Sequence, residues 1–373
     1  MRQQLSSALV MVAGLMVSAS AHTVLTTLFV DDVGQGEATC VRMPLDPGTC
    51  TAPVESVSSN DMACGNLYIY EGVDGEKPVA LTCPTPAGGK LTFQFREWAN
   101  AAQPGALDSS HKGPCAIYAK QVHDMANDEV TGSGWIKLWD EGYDAITKKW
   151  CTETLIDNNG LLSFEIPEGL PSGYWIFRPE LLALHEANKG DPQFYVGCAQ
   201  VFVQSSNTAA LDVPSDRSVS IPGHVHANEA GLTFNIYAPS FPYPLPGPKV
   251  FAVPPPENGE VDTTGPSMPG QTQGVIPSHY IVKNANWIGV EVPDYQDEKG
   301  CWAASENCWK QAGTCYNAAP PTGDAGCVAW EKKCNGIQDA CSAGNFRGPP
   351  NKGMSLTVKE VNPPASIPPA VNV

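Results

Sequence analysis

Positive charge is scarce in this sequence. Its 373 residues hold 22 Lys and Arg against 39 Asp and Glu, a formal net charge of −17. That excess repels phosphate backbones, and no basic cluster interrupts it, so nucleic acid is excluded as a partner. Long apolar runs are missing too. After the first 21 residues no stretch is apolar enough to span a bilayer, and the terminal "PPASIPPAVNV" carries no hydrophobic anchor signal, so no membrane association is expected. No Asn-x-Ser/Thr tripeptide occurs, which excludes N-glycosylation. These absences leave an acidic, soluble chain suited to a neutral, uncharged polymer.

What is there begins with a secretion signal over residues 1–21. Arg2, the apolar run Leu9 to Val17 and the small residues Ala19-Ser20-Ala21 make the three-part pattern, too short and wrongly flanked for a transmembrane anchor. Cleavage after Ala21 makes His22 the first residue of a secreted, extracellular chain. Thirteen cysteines in that compartment imply disulfides with one thiol left over.

Residues 22–250 read as one all-β domain. "NLYIYEG", "KLTFQFREW", "CAIYAKQV", "WIKLWDEG", "LSFEIP", "YWIFRPE", "FYVGCAQVFVQ" and "LTFNIYAP" alternate apolar with polar residues between Gly, Pro and Asn-Gly breaks. The pattern predicts a β-sandwich with long loops. Helical signal is thin, a turn or two in "ELLALHEANKG". Residues 251–295 shift to Pro, Gly, Thr and acids and read as a semi-stiff linker.

Residues 296–345 hold six cysteines, and 346–373 read as a flexible tail. Successive gaps between Cys301, Cys308, Cys315, Cys327, Cys334 and Cys341 are 7, 7, 12, 7 and 7. Residues seven apart share a helix face. Two helices, 301–315 and 327–341, folded antiparallel about "NAAPPTGDAG", would pair Cys301–Cys341, Cys308–Cys334 and Cys315–Cys327. A loop-rich knot with other pairings is the alternative. Trp302, Trp309, Tyr316 and Trp330 suit carbohydrate stacking. Three of them repeat at seven beside the cysteine stripe, so packing is the default expectation.

A histidine at the N-terminus offers its α-amine and ring Nδ1 as a chelating pair that no internal histidine can make. The amine's ordinary pKa is near 8, so a metal readily displaces its proton at neutral pH. Nitrogen-rich ligation favours Cu(II). On His22 alone, chance placement after cleavage explains the residue equally well. Further along, "LDSSHKGPC" offers His111 in a loop, and "LLALHEANKGDPQFYVGCAQ" carries His185, Gln193 and Tyr195. Gln193 and Tyr195, two apart in a strand, share a face.

Together these segments resemble the fungal lytic polysaccharide monooxygenases of auxiliary activity family 9. The resemblance runs from His22 to "PYPLPGPKV" (242–250). It is carried by "AHTVLTTLFV", "SSNDMACG", "SSHKGPC", "WIKLWDEG", "TLIDNNGLLSFEIPEGLPSGYWIFRPELLALH", "PQFYVGCAQ" and "NIYAPSFPYPLPGP". It implies an immunoglobulin-like β-sandwich with a flat face bearing one copper ion. It also implies His22 (amine and ring) and His111 as nitrogen ligands, with Tyr195 weak and axial. His185 and Gln193 are implied as catalytic hydrogen-bonding neighbours, and Cys64–Cys198 as a disulfide. Cellulose or a related β-glucan would be oxidised at C1 and/or C4 with an external electron donor and O2 or H2O2. Tyr243 is a candidate stacking residue for substrate, though packing against prolines would explain it as well. Many relatives carry Arg-His where this chain has Arg178-Pro179, so the role of that histidine is missing here.

The remaining cysteines are less determined. Cys40 and Cys50 bracket a short loop and suggest a local bridge, while Cys83, Cys115 and Cys151 stay unassigned. His123, His224, His226 and His279 have no matching role, and "GHVH" reads as a solvated loop. Two other functions remain in view. A hydrolytic endoglucanase needs two carboxylates facing across a cleft, and no such pair is recognisable. A non-catalytic copper-binding protein on the same fold is the second.

Overall fold

In this computed structural model the described residues are 22–65, 78–256, 270–356, 358 and 363–371. The secretion signal and the strand expected at "NLYIYEG" lie outside them. Chain order begins β1 (Val24–Val30), β2 (Val33–Glu37), β3 (Val41–Arg42), β4 (Cys83–Pro86), β5 (Lys90–Arg96) and β6 (Cys115–Val122). It continues with β7 (Gly132–Glu141), β8 (Tyr143–Asp144), β9 (Lys149–Trp150), α1 (Cys151–Asp157), β10 (Leu161–Glu165) and β11 (Gly173–Ala183). Next come β12 (Gln193–Val196), β13 (Cys198–Gln204) and β14 (Ser218–Ile221). The last elements are β15 (Val282–Asn284), β16 (Trp287–Gly289), α2 (Glu298–Ala318) and α3 (Ala325–Ser342).

A four-stranded sheet, β10-β5-β1-β2, faces an eight-stranded one built on β14-β7-β6-β11-β13-β3, with β12 added to β11 and β4 to β13. The expected all-β sandwich is therefore present. Alternation explains its layering. On β11, Phe177 points into the core between the sheets with Phe93 and Phe164, while its neighbour Ile176 joins a second core with Trp135 and Phe202. Leu232 and Phe234 of the 222–250 loop seal that second core from outside. This corrects "LTFNIYAP": its apolar residues plug a loop into the sheet rather than forming a strand. "ELLALHEANKG" is corrected as well, since β11 runs through Ala183 and only Ala187–Lys189 makes a single 3-10 turn. The unforeseen α1 starts where Glu153 accepts a hydrogen bond from the Trp150 N–H at 3.0 Å.

The six-cysteine segment forms the expected helix pair. Asp297 caps α2 by accepting from the Gly300 N–H at 2.7 Å. The nested bridges Cys301–Cys341, Cys308–Cys334 and Cys315–Cys327 are all formed. The helices also exceed their expected limits by a few residues at most ends. Trp330 is fully buried against Trp287, but Trp302, Trp309 and Tyr316 are 42%, 36% and 38% exposed, which overturns packing as their default.

Much of the stretch read as linker is structured. β15 and β16 pair as a hairpin that packs on the helix pair through Val282 and Trp287. Its Asn286 side chain clamps the turn after β2, accepting from the Cys40 N–H at 2.9 Å and donating to the Ala38 carbonyl at 2.6 Å. Described parts of the tail are packed too: Leu356 N–H donates to the Ile281 carbonyl, and Val371 N–H donates to the Ser163 carbonyl at the edge of β10. An edge strand covered in this way is shielded from pairing with other chains. Among the described residues no helix is long and apolar enough to cross a membrane.

In the sandwich, Cys64–Cys198 forms as the resemblance implies, and Cys115 joins Cys151. Cys40 pairs with Cys83, not with Cys50. β3 and β4 lie end to end along one edge of β13, and their adjoining ends bring those two sulfurs together. Cys50 is the free thiol, 5% exposed. Burial, and secondarily Asp46, pushes its pKa up to about 11. Mass analysis is expected to count six disulfides and one thiol, with alkylation at pH 8 slow until the protein is unfolded. Rapid labelling of the folded protein would contradict this placement.

Candidate metal centre

Three segments bring the site together. His22 enters just ahead of β1, where the Thr23 N–H donates to the Thr51 carbonyl at 3.1 Å and its hydroxyl to the Ala106 carbonyl at 2.7 Å. His111 sits at the end of a tight turn: Asp108 accepts from the Ser110 N–H with its side chain and from the His111 N–H with its carbonyl. The following residues run beside the end of β11, where Leu184 N–H donates to the Lys112 carbonyl and Leu182 N–H to that of Pro114. Gly113 is needed here, because a Cβ would stand 1.8 Å from the Leu182 carbonyl oxygen. Tyr195 and Gln193 come from β12, registered opposite Leu181 and Ala183 of β11.

The structure brings these side chains close together. His111 Nε2 lies 3.2 Å from the Tyr195 hydroxyl, which itself donates to Gln193 Oε1 at 3.0 Å. The His22 ring lies 6.5 Å from that of Tyr195, centre to centre. His185 lies beside His111, the rings tilted by 32° with centres 4.2 Å apart. Burial lowers the pKa of His22, so its imidazole is a neutral electron-pair donor at pH 7. Burial, helped by Asp191, raises that of Tyr195, so the phenol keeps its proton.

The chemistry of this donor set fits copper. Among the described residues no group of three or more His, Cys, Asp or Glu side chains is arranged to hold a metal by itself. The side chains at this spot offer two imidazoles and a phenol, a nitrogen-rich set of the kind copper takes. The His185 Nδ1 is buried without a hydrogen-bond partner, a spare polar atom beside the proposed ligands.

Two aromatic residues separate clearly. Tyr243 is half-buried, edge-on to Trp150 and Phe234, and its hydroxyl donates to the Gly231 carbonyl at 2.9 Å. It serves packing. Tyr237, which the strand expectation had absorbed, is 68% exposed, and its hydroxyl donates to the His185 carbonyl at 3.2 Å. Asn235 accepts from the Tyr237 N–H at 2.9 Å, and an Asn two residues before an exposed Tyr near Pro239 is a readable turn signal.

His224 is also unlike its expectation. It is 5% exposed, its Nε2 lying 3.3 Å from Glu180, which is ion-paired to Arg178 at 2.7 Å. Arg178 also donates from Nε to the Met62 carbonyl at 2.8 Å and lies over the Tyr118 ring. With Lys137, which donates to the Pro246 carbonyl at 2.7 Å, this buried cluster ties the Tyr237 loop to the sheet.

The family model described as Auxiliary Activity family 9 matches residues 22–243. An Aspergillus tamarii protein described as AA9 family lytic polysaccharide monooxygenase C is 48% identical over 346 residues, covering 91% of this chain and 90% of that protein. A Botryotinia fuckeliana protein described as AA9 family lytic polysaccharide monooxygenase H is 49% identical over 342 residues, covering 89% of this chain and 75% of that protein. Matches of that length extend into the six-cysteine segment. Among solved structures, one described as CvAA9A superposes with a TM-score of 0.52 at 29% identity, covering 62% of this chain and 98% of that one.

Proposed function

Because the chain belongs to Auxiliary Activity family 9, whose members are copper-dependent polysaccharide monooxygenases, we propose that it oxidises cellulose or related β-glucans at C1 and/or C4 of the glycosidic bond. It acts outside the cell, with an external electron donor and O2 or H2O2. The observation that carries this reading is the convergence of His22, His111, Tyr195 and Gln193 within the matched segment.

His22, through its amine and ring, and His111, through the Nε2 that faces Tyr195, would hold the copper. When bound, the metal supplies the one-electron chemistry by which O2 or H2O2 hydroxylates a carbon of the glycosidic bond. The residues do the rest. Burial keeps the His22 ring unprotonated and ready to bind. Tyr195 keeps its proton and directs it at Gln193 Oε1, so its oxygen would face a bound metal as a neutral, weak donor. Gln193 and His185 stand within contact of the ligands, placed to steady or relay protons. Tyr237 offers an exposed ring on the His185 side for docking a sugar. Once C1 or C4 carries a hydroxyl, its bond to the bridging oxygen collapses and the chain breaks.

The test uses copper-loaded protein, mass-verified to begin at His22, on amorphous cellulose with and without ascorbate. Oxidised oligosaccharides are expected only with ascorbate, and their type gives the oxidised carbon. Unmodified oligosaccharides in both tubes would mean hydrolysis. No products despite tight copper binding would favour a non-catalytic copper-binding protein.

A further inference from the structure

The helix pair of the six-cysteine module has one covered side and one open side. The β15–β16 hairpin covers the first: Gln311 of α2 exchanges two hydrogen bonds with the Val290 backbone, and Trp330 of α3 packs edge-on to Trp287. Residues one position after each cysteine lie about 100° round each helix, on the opposite side. In α2 those residues are Trp302, Trp309 and Tyr316, each more than a third exposed.

We propose that this open face is a second polysaccharide-binding site, where Trp302, Trp309 and Tyr316 stack on one extended chain at a cellulose surface. Spacing is the first argument. A seven-residue step rises about 10.5 Å along a helix, the length of two sugars in a flat β-1,4-linked chain. Alternate sugars of such a chain present the same face, so each ring meets an equivalent sugar. The stripe drifts only about 20° per step and stays nearly straight.

Ring anchoring is the second argument. Trp309 Nε1 donates to Gln338 Oε1 at 3.0 Å, and the Tyr316 hydroxyl donates to Glu331 at 2.6 Å. Both partners come from α3, so the rings are held across the groove between helices and lose little freedom on binding. Three disulfides and the Asn286 clamp make the support rigid. Charge is the third. A chain of net charge −17, with Glu331 on this very face, repels anionic polymers and suits an uncharged one whose hydroxyls can bond to Gln338 and Glu331.

Binding can be read without oxidation, so the test does not depend on the copper site. Full-length mature protein, copper-free and without reductant, is partitioned onto microcrystalline cellulose, chitin and xylan. The parent is expected to be retained best on cellulose. Trp302→Ala, Trp309→Ala and Tyr316→Ala together should lower its partition about ten-fold or more, leaving the weaker hold of the sandwich face. A companion with Trp302→Tyr and Trp309→Tyr should stay within about three-fold of the parent. Both variants are checked for six disulfides by mass. Undiminished cellulose binding by the triple variant overturns the proposal. So does equal loss in the aromatic-for-aromatic companion, or retention of the parent on chitin or xylan but not on cellulose.

Discussion

A chain left with one extra residue ahead of His22 is expected to lose its copper site while keeping its fold. His22 precedes β1, and Thr23 anchors the strand by donating from its hydroxyl to the Ala106 carbonyl. The extension converts the α-amine into an amide, whose nitrogen lone pair is delocalised into the carbonyl and makes a poor donor. Two imidazoles and a buried phenol remain. Losing an outer-shell partner alone typically costs about 10–100-fold in metal affinity, and a lost ligand should cost more than that. His111→Ala should do the same from the other side, since its Nε2 faces Tyr195. Competition with a chelator of known affinity measures the change. Thermal melting gives a second reading: copper at about a thousand times its Kd stabilises the folded state by about 4 kcal/mol, and that shift should vanish in both variants. Equal copper affinity with and without the extra residue would remove the amine from the ligand set.

The second large effect lies away from the ligands, in the buried ion cluster. Arg178→Met is expected to destabilise the protein by about 3–5 kcal/mol, because it leaves Glu180 buried with only His224 beside it. The melting temperature should fall by roughly 10 °C, and proteolysis should begin in the 222–250 loop that the cluster ties down. Acid should act on the same point. Burial opposes ionisation of Glu180, but Arg178 and then His224 outweigh it and hold its pKa down to about 2. Burial lowers the pKa of His224 below its ordinary 6.5 despite the neighbouring Glu180. Both folded-state values are depressed, so the unfolded chain takes up protons first as pH falls. Stability from His224 is complete above about pH 6.5 and is lost below it. That from Glu180 begins to be lost only below about pH 4.5 and goes as pH approaches 2. Denaturant midpoints between pH 7 and 3 check the slope. A flat profile would mean that the cluster is already open to water.

How much of this was readable in advance follows from range along the chain. Local periodicity wrote itself into the sequence. The segment "CAIYAKQV" coincides with β6 to the residue, and cysteines at steps of seven, mirrored about a Pro-Gly break, match two helices and their nested bridges. Gln193 and Tyr195 share a strand face for the same local reason. The gathering of His22, His111 and Tyr195 came from likeness to a family, since nothing in their spacing brings residues 84 positions apart together.

Tertiary structure alone decided the rest. Cys40 finds Cys83 because β3 and β4 share one edge of β13, a coincidence of register that no local pattern carries. His224 looked solvated because its loop is polar. It is buried because the loop closes over the sheet and sets its Nε2 3.3 Å from Glu180, whose charge Arg178 already meets. The fate of the aromatic residues in α2 and α3 was equally open. Heptad spacing put Trp302, Trp309 and Tyr316 on one stripe, but only the side chosen by the β15–β16 hairpin determined that Trp330 would be covered and the stripe left facing water. Periodicity assigns a face, and packing then decides whether anything sits on it.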